Sequence, residues 1–176
     1  VAGWGAVAIL VALLRNRLWA TPNLAFFTTI ADRWGENPFG DTGLDGDYLL
    51  TNLLGPTIAR ALGQTAPHTY ARLHLALLML GLAAAVVAMA RRFRHAAAIA
   101  LCGLLAVAPV TTVAMQWLGQ PDAMTLPLAL GVVIARRRWA AFAFAVLLGT
   151  SHAEQGLFIA LTATVVRAWV VDDRTE

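Results

Sequence analysis

The chain has 176 residues, 59% of them hydrophobic and only 13% charged, with a mean hydropathy of +0.67. A soluble domain carries about 25% charged residues, so this chain lacks the charge to coat a water-facing surface; that excludes disorder and argues against an ordinary cytosolic enzyme. The net charge of +3 rests on 13 arginines and no lysine, most of them in two tight clusters and one polar segment, which is not a nucleic-acid signal, so no nucleic-acid partner is expected.

The class this implies is all-α: a polytopic transmembrane helix bundle of about five to six spans. It carries a long extracytoplasmic loop with two amphipathic interfacial helices. The first apolar run, Val1 to Leu14, is too short to span at about 1.5 Å per residue. Continued to Ala20, with Arg15 and Arg17 snorkelling and Trp19 at the interface, it makes a first transmembrane helix over residues 1–20.

Residues 21–68 form the extended polar loop. Thr21-Pro22 reads as the start of a short helix, with Leu24, Phe27, Ala31 and Trp34 repeating at helical spacing. A loop rich in Gly, Pro, Asn and Asp follows from Gly35 to Asp47. Asp47 then caps a second amphipathic helix with the stripe Leu50, Leu53, Leu54, Ile58 and Ala61, stopped by Gly63.

Residues 69–176 are expected to form a transmembrane bundle. Leu73 to Ala90 is one span, ended by an arginine cluster at Arg91, Arg92 and Arg94; Ala96 to Met115 is the next. A polar break, Trp117 to Asp122, leads to a span from Ala123 to Arg136-Arg137-Arg138. The last apolar region, Trp139 to Val171, would reach roughly 50 Å as one helix against about 30 Å of hydrocarbon. It is therefore read as a hairpin of short helices broken at residues 149–156. The arginine clusters lie two spans apart and share a face, cytoplasmic by the positive-inside rule. Outside the C-terminal tail, the carboxylates then fall on the opposite face and form a polar vestibule there.

Three groups in this vestibule have the chemistry for a site. Asp41, Asp45 and Asp47 crowd a glycine-rich loop, a spacing able to ligate a divalent cation through oxygens, although turn-forming and helix-capping serve as well. Gln120 and Asp122 open a helix, where first-turn capping competes with binding a hydroxyl-rich ligand. His152, Glu154 and Gln155 interrupt an apolar hairpin, where ionisable groups are costly; acid–base or metal chemistry competes with a solvated hairpin tip. Arg72, beside the buried or interfacial His74, suits a phosphate headgroup. Tyr70 and Trp117 read as interfacial belt aromatics. The lone Cys102 excludes an intramolecular disulfide.

The layout resembles the N-terminal part of GT-C-type integral-membrane glycosyltransferases, which take a sugar from a polyprenyl-phosphate carrier. The resemblance lies in a first span followed by a long outer loop with acidic residues (Asp32, Asp41, Asp45, Asp47), the Gln120-Pro121-Asp122-Ala123 start of a span, and Ser151-His152-Ala153-Glu154 breaking the next hairpin. It implies an outer-loop carboxylate as catalytic base, with Asp47, Asp45 and Asp32 as candidates. Asp122, Gln120, His152, Glu154, Arg72 and Arg60 would then bind substrate, and a divalent cation on Asp41, Asp45 and Asp47 is optional. Implied partners are the lipid-linked sugar donor, a lipid or glycan acceptor, membrane lipids, and the remainder of a longer chain or a partner subunit, since the family's members are larger. The expected location is the bacterial inner (plasma) membrane. Two other readings compete: a non-catalytic membrane scaffold subunit, whose outer carboxylates would tolerate alanine, and a transporter or flippase component binding at the broken hairpin.

Overall fold

The computed structural model describes residues 2–15, 24–33 and 52–172. In chain order the helices are α1 (Ala2–Arg15), α2 (Leu24–Asp32), α3 (Leu54–Ala61), α4 (Pro67–Arg92), α5 (His95–Val107), α6 (Pro109–Gln116), α7 (Asp122–Ile134), α8 (Arg138–Ser151) and α9 (Ala153–Asp172). No strand occurs among the described residues, so the chain is all-α as expected. Asp41, Asp45 and Asp47, and with them the proposed cation loop, lie outside the described residues.

The 26-residue helix α4 is the longest of these elements, and by length and composition it is able to cross a membrane. Pro67 starts it, after Ala66 in an extended conformation, because a first-turn proline forfeits no helical hydrogen bond. Arg91 and Arg92 in the last turn complement the negative end of the helix dipole. One side of α4, carrying Tyr70, His74, Leu78, Leu82, Ala85 and Met89, is buried at helical spacing. It supplies all three hydrophobic clusters of the bundle. Leu78 and Leu82 meet Ala106 of α5, Ala114 and Met115 of α6 and Ala123 and Leu126 of α7. Ala85 and Met89 pack with Cys102 of α5. Tyr70 joins Leu24, Phe27, Ile30 and Ala31 of α2 and Ala59 of α3.

Several elements differ from the sequence reading. The span read as Ala96 to Met115 is broken into α5 and α6, which are bent by 48°. Pro109 is the cause: it has no N–H to donate and forces Ala108 into an extended conformation (φ −61°, ψ 137°). Thr111 rejoins the two pieces by donating its hydroxyl to the Leu105 carbonyl. The stripe on α2 is covered by α3 and α4, so protein rather than a lipid surface buries Phe27 and Ala31. The second amphipathic helix starts at Leu54, and its buried face is Gly55, Pro56 and Ala59; Ala61 of the expected stripe is exposed. Its end is as expected. Gly63 adopts φ +65°, and Gly63 N–H and Gln64 N–H donate to the carbonyls of Arg60 and Ala59. This closes the helix with the paired bonds that a left-handed glycine permits.

The terminal apolar region is a hairpin. Helices α8 and α9 pack on each other and on α7, with one residue, His152 (φ −151°, ψ 90°), between them. Helices α7, α8 and the Gln155–Ala168 part of α9 are apolar but shorter than α4. At the far end of the bundle, Arg92 of α4 donates to Val133 O at 3.4 Å, and Arg167 of α9 donates to Val132 O at 3.3 Å and to Ala135 O. Two guanidinium groups from distant parts of the chain thus satisfy the orphan carbonyls at the end of α7.

Candidate functional site

Two polar regions lie where α4 begins, and α2 contributes to both. The open one is a groove of about 400 Å3 lined by Thr28, Thr29, Asp32, Arg33, Thr65, Ala66 and Pro67. The apolar side of α2 is clamped against α3 and α4, which leaves Asp32, its last residue, exposed at the groove. The turn after Gly63 carries the chain back, so that the Thr65 hydroxyl donates to Asp32 Oδ1 at 3.3 Å. The Arg60 guanidinium donates to the Asp32 carbonyl at 2.9 Å and fixes the end of the helix. Thr28 and Thr29 donate their hydroxyls to Ala25 O, at 3.0 and 2.8 Å. Their oxygens keep acceptor capacity toward the groove. The result is a carboxylate, hydroxyl groups and arginines around an open space.

The second region is closed. Tyr70 and His74, one turn apart on α4, stack with ring centroids 4.3 Å apart. His74 Nδ1 donates to Tyr70 O at 3.0 Å, which leaves Nε2 directed toward Gly55. A Cβ on Gly55 would stand 2.7 Å from His74 Nε2 and 3.0 Å from Tyr70 Oη, so α3 approaches this closely only as glycine. The turn between α6 and α7 completes the enclosure: Gly119 (φ +89°) faces Leu24 and Tyr70, and the Pro121 carbonyl accepts from Thr125 at 3.0 Å and from Ser151 at 3.5 Å. The space left among these groups is about 10 Å3.

The expected vestibule is thus divided. Asp32 and Arg60 are brought together. Gln120 and His152 are buried at 3% and 7% exposure instead of lining an open cavity, because the turn at Gly119 and the break at Ser151 fold onto α2 and α3. Asp122 is half-buried in the first turn of α7, and lines neither space. Glu154 falls in the first turn of α9. Arg72 is exposed on α4 outside the groove. His152 Nδ1 is buried without a hydrogen-bond partner among the described residues, an arrangement that costs about 1–3 kcal/mol. Tyr70 is wholly buried, not an interfacial belt residue. Asn52, Thr65 and Ser151 are polar members of these regions whose roles depend on contacts between distant segments. Among the described residues no group of three or more His, Cys, Asp or Glu side chains is placed to hold a metal.

No protein-family model matches the chain, and no curated protein or solved structure matches it at a significant level.

Proposed function

We propose that the chain is, or is part of, a polytopic integral-membrane glycosyltransferase that takes a sugar from a polyprenyl-phosphate donor on the extracytoplasmic face of the bacterial inner membrane. The observation that carries this reading is the Asp32 groove: an exposed carboxylate held by Thr65, walled by hydroxyl groups and Arg33, at the opposite end of α4 from the Arg91–Arg92 cluster. In the proposed reaction Asp32 accepts the proton of the acceptor hydroxyl, whose oxygen forms a bond to the anomeric carbon. The bond from that carbon to the phosphate oxygen breaks, and polyprenyl phosphate leaves with the electron pair. Arginines such as Arg33 and Arg60 offset its charge. Asp45 and Asp47 are the rival bases, and a divalent cation on Asp41, Asp45 and Asp47 would be an additional anchor for the phosphate.

The test is sugar transfer from a polyprenyl-phosphate donor by membranes containing Asp32→Asn, Asp45→Asn or Asp47→Asn. Loss of a catalytic base lowers the rate by about 100- to 10,000-fold, and Asp32→Asn is expected to do so with its helical content unchanged. Undiminished transfer by all three variants removes this assignment. A second reading, a non-catalytic membrane subunit, is favoured by the apolar outer surface of α8 and α9, where Phe142 and Phe158 are 71% and 72% exposed. Extraction of the protein only together with a partner, with every carboxylate variant active, would select it.

A further inference from the structure

A second, more apolar groove lies at the other end of α4. It is a groove of about 700 Å3 whose walls are Leu80, Ala83, Ala84, Val87 and Ala88 of α4 and Ile134 and Ala135 at the end of α7. The α4 residues recur at helical spacing on the side facing away from the core, and Leu80 is 68% exposed. Three alanines in that row hollow the surface between larger neighbours. From Leu80 to Arg92 the row rises roughly 18 Å, close to the ~15 Å depth of one leaflet's hydrocarbon. The groove ends in arginine: Arg91, Arg92 and Arg136 complete its lining, and among the described residues no acidic one contributes to it. Arg91 and Arg136 are exposed, while Arg92 donates to the Val133 carbonyl, which holds its charge beside the mouth.

We infer that this groove holds an anionic diacyl phospholipid, an acyl chain lying along the alanine row of α4 and the phosphate diester between Arg91 and Arg136. An apolar channel of leaflet depth that ends at the exposed guanidinium groups of Arg91 and Arg136 matches that chemistry at both ends. A free phosphate would leave the apolar walls uncovered, and a neutral lipid would leave the arginines unmatched. The inference requires the bundle to lie in a bilayer and does not depend on sugar transfer.

The experiment is retention of phosphatidylglycerol or phosphatidylcholine by the full chain in detergent, read by native mass spectrometry. Phosphatidylglycerol is expected to be retained about tenfold more than phosphatidylcholine, a preference that weakens as salt rises. Arg91→Gln with Arg136→Gln should abolish the preference. Ala84→Phe, which fills the channel at an exposed position, should reduce retention of both lipids. Arg94→Gln with Arg138→Gln, exposed arginines outside the groove, should change nothing. Equal retention of the two lipids by the unaltered chain overturns the inference. So does an equal loss in the Arg94/Arg138 pair, or displacement of the lipid by millimolar inorganic phosphate. Thermal unfolding midpoints matching the unaltered chain show that a loss of lipid is not a loss of fold.

Discussion

Gly55 and His152 mark two extremes of fit at single residues. At Gly55 there is no room: a methyl group would meet the imidazole and phenol of His74 and Tyr70, both fixed in the stack on α4. Gly55→Ala is therefore expected to destabilise the protein by about 1–3 kcal/mol, the usual cost of overpacking. This is measurable as a lower denaturant midpoint with an unchanged slope. At His152 a buried ring nitrogen, Nδ1, meets no hydrogen-bond partner among the described residues. His152→Leu should leave stability unchanged or raise it by about 1 kcal/mol, because it removes a buried polar atom that has no partner among the described residues. The same variant should lose activity if the residue serves the site. Greater stability with full activity would assign His152 to the hairpin break alone. Little of this was legible from the sequence. The burial of Tyr70 depends on Gly55, Gly119 and Leu24 arriving from three separate segments, and a residue beside a span start reads as an interfacial aromatic until those contacts are known.

Local rules succeeded among the elements where one residue decides the geometry, and failed where a continuous apolar run concealed such a residue. Gly63 stops α3 through its own left-handed conformation, so its role was evident from spacing. Pro109 decides the geometry of its segment equally strongly, yet hydropathy across Ala96 to Met115 is uninterrupted and reads as one span. The apolar hairpin after Trp139 was recognised from length alone, since no straight helix of that size fits a bilayer. Its narrow break was not, because polar residues from Thr150 to Gly156 suggested a wider solvated loop, while Ser151 is in fact the last residue of α8 and Ala153 the first of α9. The end of α7 is where elements are tied together most specifically. Arg167 is half-buried and donates to two of its carbonyls. A hydrogen bond to a charged group contributes about 1.5–3 kcal/mol, so Arg167→Ala should cost about that much and loosen α9 from α7. Lysine, a point charge with a shorter reach, should recover only part of it. Hydrogen exchange concentrated in α7 and α9, rather than spread through α4, would locate the effect; a uniform loss would contradict it.

The molecule as a whole has two chemically distinct ends joined by α4. One end has Asp32 and a hydroxyl-lined groove; the other gathers Arg91, Arg92, Arg136 and Arg167. The helix between them rises roughly 38 Å, more than the ~30 Å hydrocarbon core, so a chain that crosses a bilayer along α4 must present its ends to different compartments. This is testable with single cysteines. Cys102 is buried, and Cys102→Ala removes the native thiol at little cost in volume. His68→Cys and Arg137→Cys, both exposed positions, then report on opposite ends. In intact cells an impermeant maleimide is expected to label the cysteine at 68 and to reach the one at 137 only after lysis, since arginine-rich segments are retained in the cytoplasm. Labelling of both without lysis would mean that α4 does not cross, and the proposed placement of Asp32 on an outer face would fall with it. Labelling in the reverse order would keep the crossing but invert it, turning the Asp32 groove toward the cytoplasm. An extracytoplasmic transfer reaction would then be excluded, whereas the lipid groove at the arginine end would survive in the opposite leaflet.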